Sequence, residues 1–530
     1  MKIARRIVQV IIFLIFLYLF FITVYPLQDK PSNIFNRISP LNSIMLAILD
    51  KFTPVFILGF ILLGLTFILG RFFCGWICPM GTTIDLGEKC LGHSPNKKER
   101  KNLTWIKYII LILIISSAFS GVALGFWFEP TSLAYRFYTF SIFPIVNQAW
   151  VFLQQHIPAL AYTELSFVDI SYRFGIFYFL TFTGIFLLGH YQKRFWCRNL
   201  CPLGGLLGIG SRFSVNQRKV SSKCIDCGKC VADCKMGAIP EEPRDFKVTE
   251  CIYCYNCVKV CPVNAISFKF EKPRSLEKLK ESVINFFKGK KTPSPQTSSG
   301  FSRRNFLEGA VAGVVGASLV STGYGEKHKY QRLIRPPGAM PEKDFDNACI
   351  RCGECMKTCI TGGLQPTLLE AGIAGVMTPR LIPSAGHCER DCDMCQQACP
   401  TGAIQPFTLE DKPNIKIGTA RINRNACIAW YRDEFCLVCD EHCPYKAVYW
   451  KKIDGRLRPF VDETKCVGCG FCENKCPVNP ESAIQVFSQG EKRVMKKDNT
   501  WQQINPIPEN TEADKHQVQP PPPDDGFGYP

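Results

Sequence analysis

The chain has 530 residues, a formal charge of +18 at pH 7, a hydrophobic content of 47% and 29 cysteines. The length allows several domains. The long apolar runs fall mostly in the first 190 residues, and most cysteines fall in regularly spaced groups between Cys224 and Cys476. The basic residues lie mainly beside apolar runs, and no recognition module accompanies them, so nucleic acid is excluded as a partner.

Four stretches are predicted to cross a membrane as helices, because each comes close to the roughly 17 to 25 apolar residues needed to span the hydrocarbon core. They are Ile7 to Tyr25, Phe52 to Leu69, Tyr108 to Phe128 and Phe174 to Tyr191. The segment from Leu133 to Tyr162 is aromatic but interrupted by proline, asparagine and glutamine. It is predicted to be an external, partly interfacial loop.

The distribution of lysine and arginine in short loops predicts the orientation of these helices. Basic residues precede the first helix, separate the second from the third, and follow the fourth. The loops Pro26 to Lys51 and Glu129 to Tyr172 contain few of them. The amino terminus and the region after the fourth helix are therefore expected in the bacterial cytoplasm, with the protein embedded in the lipid of the inner membrane.

Composition divides the chain further. A membrane domain (residues 1–212) is followed by a cysteine-rich cytoplasmic domain (213–270) and a polar linker (271–301). Residues 302–324 begin with Ser302-Arg303-Arg304-Asn305-Phe306-Leu307 and resemble a twin-arginine export signal; a basic linker before a buried helix is the alternative. Because no clear cleavage site follows Val320, this segment is a candidate anchor. Residues 325–488 would then be periplasmic, and the Pro-rich tail (489–530) is expected to be disordered.

Two runs with the spacing C-x2-C-x2-C-x3-C lie in residues 213–270. In two-cluster ferredoxins, three thiolates of such a run bind one [4Fe-4S] cube and the fourth reaches the neighbouring cube. The pattern therefore predicts two groups: Cys224, Cys227, Cys230 with Cys261, and Cys251, Cys254, Cys257 with Cys234. Lys235 stands where a proline usually follows the run.

Four further runs follow, and together the six complete runs predict six [4Fe-4S] clusters. Zinc more often uses separated C-x2-C pairs. Disulfides, which an oxidising compartment favours, are the other alternative, and export of an already folded, cluster-loaded domain argues against them. The runs are Cys349, Cys352, Cys355, Cys359; Cys388, Cys392, Cys395, Cys399; Cys427, Cys436, Cys439, Cys443; and Cys466, Cys469, Cys472, Cys476.

An internal repeat supplies four more cysteines. Residues 71–81 (RFFCGWICPMG) are echoed by residues 194–204 (RFWCRNLCPLG), and each copy follows a predicted helix at the cytoplasmic face. If helices continue into the motifs, cysteines four residues apart share a face, so Cys74, Cys78, Cys197 and Cys201 could converge. Three roles stay open for this set: a metal or cluster site, reversible dithiol chemistry, or a structural turn. Cys90 lies outside every group.

These motifs resemble a known pair of subunits. Residues 1 to about 270 look like NapH, the membrane subunit of the quinol dehydrogenase that serves periplasmic nitrate reductase. Residues from about 302, with Arg335-Pro336-Pro337-Gly338-Ala339 and the C-x8-C spacing at Cys427, look like its four-cluster partner NapG and like MauM. The two subunits would be fused here.

The resemblance implies a multidomain membrane protein with an α-helical bundle of four helices plus a fifth signal or anchor helix, and two α+β ferredoxin-like domains. It implies a quinol dehydrogenase of anaerobic respiration, which takes electrons from the quinone pool and passes them to a periplasmic c-type cytochrome or reductase.

The resemblance also implies a nested pairing of the last four runs, first with fourth and second with third. Cys476 would complete the cluster of the first of these runs and Cys359 that of the fourth. Likewise Cys443 would complete the cluster of the second run and Cys399 that of the third.

A second hypothesis comes from the repeated membrane motif, which also resembles an accessory protein of cytochrome oxidase maturation. Such an assembly reductase would reduce a metal without turnover of its own. The exported four-cluster half favours the respiratory hypothesis, because a maturation reductase has little need of so long a chain of clusters.

Overall fold

The computed structural model describes residues 2–22, 33–90, 103–157, 171–172, 175–271, 303–322, 332–495 and 500–503. The predicted linker and most of the predicted tail lie outside these residues. The first part of the described chain is helical. The cysteine-rich parts are built from short helices, turns and two-stranded antiparallel sheets.

Half of the ten helices of eight or more residues in this part of the described chain begin at a start signal in the sequence. Proline occupies the first turn of several of them, where its missing N–H costs no hydrogen bond. At Pro79 and Pro202 this proline directly follows the second cysteine of a repeat motif, so a helix starts within each motif. The helices are α1 (Lys2–Ile22), α2 (Pro40–Ile48), α3 (Ile57–Leu69), α4 (Pro79–Cys90), α5 (Ile106–Phe119), α6 (Pro130–Phe137), α7 (Phe143–His156), α8 (Gly175–Tyr191), α9 (Pro202–Ser211) and α10 (Arg303–Thr322).

Short helical turns complete this part of the chain. A turn of helix at Phe72–Trp76 and a π-helix at Trp196–Leu200 carry the two repeat motifs. Other short turns are Ile34–Arg37, Pro54–Phe56 and Leu124–Trp127.

Among the described residues, α1 is the one helix long and apolar enough to cross a membrane by length and composition. Three shorter apolar helices cover Pro54–Leu69, Ile106–Phe119 and Gly175–Tyr191. The predicted third span is shorter than expected, because the helix ends at Phe119 and Gly121 takes up a left-handed conformation with φ of 79°.

The prediction of a loop between Leu133 and Tyr162 is wrong over its described part. Residues 130–156, here called the central segment, form α6, a π-helix at Tyr138–Ile142, and α7. Pro144 lies in the first turn of α7, where it is compatible with a helix. Tyr135 and Phe140 are buried, and the Phe137 ring stacks on Phe182 of α8 with centroids 4.1 Å apart. Aromatic packing therefore places residues 130–143 inside the helical domain, whereas most of α7 beyond Phe143 is exposed.

Residues 213–271 form the first module. Its strands β1 (Asn216–Val220) and β2 (Ile266–Phe270) pair antiparallel at its two ends, with Asn216 opposite Phe270. Both cysteine runs lie between these strands. The short helices Lys229–Ala232, Val248–Glu250 and Asn256–Val260 carry the runs or lead into them.

Residues 332–495, with 500–503, form the second module. Four antiparallel pairs join its strands: β3 (Leu364–Pro366) with β4 (Pro379–Leu381), β5 (Thr419–Ile422) with β8 (Ile484–Phe487), β6 (Val448–Ile453) with β7 (Arg456–Val461), and β9 (Lys492–Met495) with β10 (Thr500–Gln503). Its short helices are Glu342–Ala348, Glu354–Lys357, Gly372–Gly375, Met394–Gln397, Lys412–Asn414, Ile428–Arg432, Val438–Glu441 and Phe471–Lys475.

The two modules contact opposite ends of the helices. At the start of α1, Arg5 lies within electrostatic range of Cys254 in the first module. Near its other end, the Lys357 ammonium of the second module donates to the Phe20 carbonyl at 2.5 Å and lies 3.8 Å from the centre of the Phe20 ring. Arg5 and Phe20 are 15 residues apart, which corresponds to roughly 22 Å along a helix.

Helix α5 shows the same arrangement and runs in the same direction. Lys107 at its start contacts Glu250 of the first module at 2.5 Å. Just beyond its end, the Gly121 carbonyl accepts a hydrogen bond from Asn347 of the second module at 3.0 Å. The helical domain therefore lies between the modules.

Helix α10, which starts at the paired arginines, packs along α5 through small residues. Gly309 faces the Ile109 carbonyl, and a Cβ at Gly313 would overlap Ser116 and the Leu113 carbonyl. Small residues four positions apart let two helix backbones approach closely. Ala317 then packs with Val122 and with Ala374 of the second module.

Asp85 of α4 anchors the first module to the helical domain. Its carboxylate lies 2.6 Å from Arg194 and 2.7 Å from Lys235. Burial alone would raise the pKa of Asp85, but these two cations outweigh it and hold the pKa well below its usual range. Lys235 thus forms an interdomain ion pair at the position where proline usually follows the run.

We predict that Asp85→Asn destabilises the protein, because it leaves the fully buried Arg194 without its carboxylate. Removing one partner of a buried pair costs on the order of 3–5 kcal/mol. Thermal unfolding in detergent should show a clearly lower midpoint. The matched control is Asp226→Asn, whose partner Arg244 is about half exposed; its midpoint should stay at the wild-type value. Equal midpoints for both variants would contradict this role of Asp85.

Candidate iron–sulfur centres

The first module contains a cavity of about 390 Å³ lined by four cysteines, Cys234, Cys251, Cys254 and Cys257. This is the group that the spacing predicts. Tyr253 and Tyr255 adopt positive φ angles of 52° and 57°, and so turn the backbone around the cavity. The second group is more open. Cys224 and Cys227 lie within electrostatic range of Cys230, and Cys261 packs against the small buried cluster that contains Cys230, Ile239 and Ile266.

The last cysteine of a run accepts a backbone hydrogen bond in a recurring geometry. The N–H four residues further on donates to its sulfur in three runs: Ala238 to Cys234 at 3.2 Å, Ala265 to Cys261 at 3.2 Å, and Ala447 to Cys443 at 3.3 Å. Hydrogen bonds to ligand sulfurs stabilise thiolate and tune the potential of a bound cluster. The turn after each of these runs therefore contributes to the site.

In the second module, four cysteines likewise line each of three cavities of about 350 to 390 Å³. The groups are Cys349, Cys352, Cys355 with Cys399; Cys466, Cys469, Cys472 with Cys443; and Cys427, Cys436, Cys439 with Cys476. In the remaining group, Cys359 lies within electrostatic range of Cys388, Cys392 and Cys395.

The nested pairing expected from the resemblance is therefore wrong. Neighbouring runs exchange their fourth cysteines, first with second and third with fourth. Backbone packing explains the first exchange: Gly363 lies directly on Gly386, which brings Cys359 beside Cys388. For the second exchange, Asp462 N–H donates to the Ala447 carbonyl at 2.7 Å, which brings Cys443 beside Cys466.

The donor sets fit polynuclear clusters. Across the described ranges, no group of three or more histidine, cysteine, aspartate or glutamate side chains is placed to hold a single metal ion. In a cube, by contrast, each thiolate binds a different iron. Burial raises the pKa of Cys439 to about 12 and that of Cys472 well above its usual value, so these thiols ionise only with a compensating cation. Bound iron would supply that charge.

The repeat cysteines Cys74, Cys78, Cys197 and Cys201, here called the thiol quartet, converge at the first-module end of the helices. Cys78, Cys197 and Cys201 are buried, and the pKa of Cys201 is raised by burial and by the charges of the other three thiols. In each copy, the glycine three residues after the second cysteine donates its N–H to that sulfur, from Gly204 at 3.3 Å and from Gly81. The two repeat copies thus form one site.

Sequence reasoning missed the charged residues around these sites. Asp85, Lys107 and Glu250 belong to no recognised motif, and their partners come from distant parts of the chain. One feature of the sequence pointed to these contacts. Lys235 replaces the proline that usually follows the run, and its ion pair with Asp85 explains that replacement. Cys90, outside every group, is exposed.

These sites define an iron–sulfur electron-transfer protein with ferredoxin-type [4Fe-4S] domains. A family model described as a 4Fe-4S dicluster domain matches residues 223–265 and 432–480, and the second of these matches contains the fourth run of the second module and the last three cysteines of the third run. A model described as a 4Fe-4S binding domain matches residues 52–98 and 174–221, which contain the thiol quartet and none of the six runs.

Curated relatives agree with this class. The chain is 35% identical over 186 residues to the methylamine utilization ferredoxin-type protein MauM of Methylobacillus flagellatus, which is 33% of this chain and 78% of that protein. It is 30% identical over 206 residues to the ferredoxin-type protein NapG of Escherichia coli, covering 35% of this chain and 85% of NapG. The chain belongs to the family of ferredoxin-type proteins that includes MauM and NapG. A putative electron transport protein of E. coli, YccM, is 28% identical over 42% of this chain and 57% of YccM.

We predict that the double variant Cys352→Ala/Cys399→Ala loses the iron of one cluster, about four atoms, because both cysteines line one cavity. Under nested pairing, the two substitutions would disrupt two clusters and remove about eight atoms. Iron and acid-labile sulfide analysis of anaerobically purified protein separates the outcomes.

A matched control for this experiment is Cys399→Ala/Cys472→Ala. These cysteines belong to different clusters under either pairing, so this variant should lose about eight iron atoms. Equal iron loss in the two double variants would contradict the neighbouring-run pairing.

Proposed function

We propose that this protein is a membrane quinol dehydrogenase with six ferredoxin-type [4Fe-4S] clusters, two in the first module and four in the second. It oxidises quinol from the membrane pool and passes electrons to a periplasmic c-type cytochrome or reductase. The observation that carries the proposal is the position of the two modules at opposite ends of the helices. Such a molecule can exchange electrons on both sides of a membrane.

A lipid environment for the helices is supported by their apolar surface. Large apolar side chains are exposed along α1, α3, α8 and α10, among them Ile11, Ile61, Phe179 and Val315. Contiguous exposed apolar surface of this kind is unusual for a soluble domain and is typical of lipid contact. We infer a bundle of α1, α3, α5 and α8, with α10 as a fifth helix.

The side of the membrane follows from charge and contacts. The loops at the first module are rich in lysine and arginine, as expected for the cytoplasmic side. The second module contacts the opposite ends of the helices through Lys357 and Asn347, so it lies in the periplasm. The close packing of α10 on α5 supports an uncleaved anchor rather than a removed signal.

The chemistry suits a chain of clusters. A quinol gives up two electrons and two protons when it becomes quinone, and each cluster accepts one electron. The two protons are released to water. A set of one-electron centres therefore separates the two electrons of the quinol and delivers them one at a time to the acceptor.

We predict that quinol reduces the clusters of the protein in anaerobic liposomes. Decylubiquinol and a menaquinol analogue should each be tested, with reduced-cluster EPR signals as the readout and the corresponding quinones as controls. Clusters that dithionite reduces and that neither quinol reduces would contradict quinol dehydrogenase activity.

We also predict that Arg303→Lys/Arg304→Lys keeps the second module in the cytoplasm, because the arginine pair is the feature that an export machinery reads. External protease on spheroplasts should then leave the second module intact. The matched control is Glu308→Gln, which removes the ion pair to Arg304 on the same helix and keeps both arginines; its second module should be cleaved as in the wild type. Cleavage of the double-lysine variant would mean that the segment is not an export signal.

A further inference from the structure

The four cysteine groups of the second module are arranged in one spatial order. Each group is named here by the first cysteine of its run: the Cys349, Cys388, Cys427 and Cys466 groups. The Phe140 ring of the central segment is 3.2 Å from the position of a Cβ on Gly353, in the first run. Asn33 donates to the Ala398 carbonyl, next to Cys399 of the Cys349 group, at 3.0 Å. The helical domain therefore contacts the Cys349 group through two elements.

The other three groups follow outward from the helices. The Cys388 group exchanges its fourth cysteine with the Cys349 group, and the Cys427 group does so with the Cys466 group, so each pair is adjacent. The Cys388 N–H donates to the Cys469 carbonyl at 2.8 Å, which joins the two pairs. The order from the helices outward is therefore Cys349, Cys388, Cys466 and Cys427.

The outermost group carries an exposed loop. Eight residues separate Cys427 from Cys436, the longest first gap of the six runs, and residues 428–435 are here called the outer loop. Its first part is a π-helix at Ile428–Arg432. The five residues that follow Trp430 are all exposed, and the Tyr431 and Phe435 side chains are each 71% exposed. Two aromatic side chains thus lie in solvent, one of them directly before a cysteine of the group.

The hairpin of β6 and β7 holds the outer loop in place. The Trp430 indole N–H donates to the Pro459 carbonyl at 3.1 Å. Arg456 and Arg458 of the hairpin both form ion pairs with Asp433 of the loop. Pro459 also lines the cavity of the Cys427 group. The outer loop and the hairpin therefore form one surface beside this cavity, here called the outer surface.

The outer surface is basic and aromatic. The hairpin contributes one carboxylate, Asp454, and four cations: Lys451, Lys452, Arg456 and Arg458. The Arg424 guanidinium adds a fifth cation, 4.3 Å from the centre of the Trp430 ring. Tyrosine, tryptophan, phenylalanine and arginine are the side chains most enriched in protein interfaces. A basic rim favours a partner whose own surface is acidic.

We propose that electrons leave the protein at the Cys427 group, and that the outer surface is the docking site of the acceptor. The acceptor is a c-type cytochrome that presents an acidic face around its haem edge. The direction of electron flow rests on the proposed function, whereas the docking surface does not. The long first gap of this run thus serves recognition, because it places Tyr431 and Phe435 where a partner contacts them.

The step at this surface transfers one electron. A reduced cluster held by the Cys427 group loses one electron as one ferrous iron becomes ferric, and the ferric haem iron of the cytochrome becomes ferrous. The bonds from cysteine to iron persist, and no proton is transferred. The contact has only to bring the haem edge close to the cluster, so an exposed loop beside the cysteines suffices.

The first test measures binding of full-length, cluster-loaded protein in detergent by surface plasmon resonance. The probes are mitochondrial cytochrome c, which is basic, and the same cytochrome made acidic by succinylation of its lysines. The wild type should bind the succinylated form at least about tenfold more tightly, and added salt should weaken this binding.

Two double variants should each weaken binding of the succinylated cytochrome by about tenfold: Tyr431→Ala/Phe435→Ala and Lys452→Glu/Arg456→Glu. The matched controls change exposed residues elsewhere on the same module and should bind as the wild type does: Leu368→Ala/Leu369→Ala and Lys343→Glu. Equal affinity in the wild type and both outer-surface variants, or no binding of the succinylated form, would overturn the proposal.

The second test measures electron transfer without quinol. Protein reduced by dithionite and freed of the reductant is mixed with ferric succinylated cytochrome, and haem reduction is followed by absorbance in a stopped-flow instrument. Both outer-surface variants should react about tenfold more slowly than the wild type, with unchanged iron content and EPR signals. Equal rates would overturn the exit at the Cys427 group. Sedimentation that shows dimers of the wild type and monomers of the variants would assign the surface to a second copy and also overturn it. Because no quinol is present, absence of reduction by quinol would contradict the proposed function alone.

Discussion

The requirement that a four-thiolate cluster draw its ligands from two cysteine runs shapes both modules. Three cysteines of a run are close in sequence, but the fourth must come from another run, so the chain has to fold back. In the second module, Gly363 against Gly386 makes the first return and the Asp462 to Ala447 hydrogen bond makes the second. Each return forms a compact unit with two groups of four cysteines, and the module consists of two such units in succession. Burial raises the pKa of thiols such as Cys355 and Cys472, so folding around iron and deprotonation of cysteine are coupled.

Buried charge joins the first module to the helices. Asp85 binds Arg194 and Lys235, and Glu250 binds Arg71 and Lys107. Both carboxylates have more than one cationic partner, which offsets the cost of taking them out of water. Arg71 and Arg194 also belong to the repeat motifs, so the same residues that dock the module surround the thiol quartet. Docking and the electrostatics of that site are therefore not independent.

The sequence predicted the features that depend on local pattern. Spacing alone predicted the two ligand groups of the first module, and hydropathy predicted the core of each apolar helix. It failed where distant contacts decide. In the second module, neighbouring runs exchange their fourth cysteines because of backbone packing at Gly363. The spacing of the cysteines within a run does not indicate this packing. The central segment was misassigned because Pro144 and the polar side chains suggested a loop, whereas Pro144 begins a helix and Asn147 is buried. Arg71 and Arg194 were visible in the repeat, but their crossing to the opposite copy is a tertiary property.

The misassigned segment also changes how electrons can cross the molecule. A membrane bundle with clusters only at its two faces would leave roughly 30 Å of hydrocarbon between them. The first half of the central segment, residues 130–143, instead lies among the helices, with Tyr138 against Phe16 of α1 at 5.3 Å and Phe140 stacked on Tyr178 of α8 at 4.5 Å. It contacts α4 at Thr83 and the second module at Gly353. The protein between the quartet and the first run of the second module is thus an aromatic layer, which contacts α4 at Thr83 and ends beside Cys352 at Gly353.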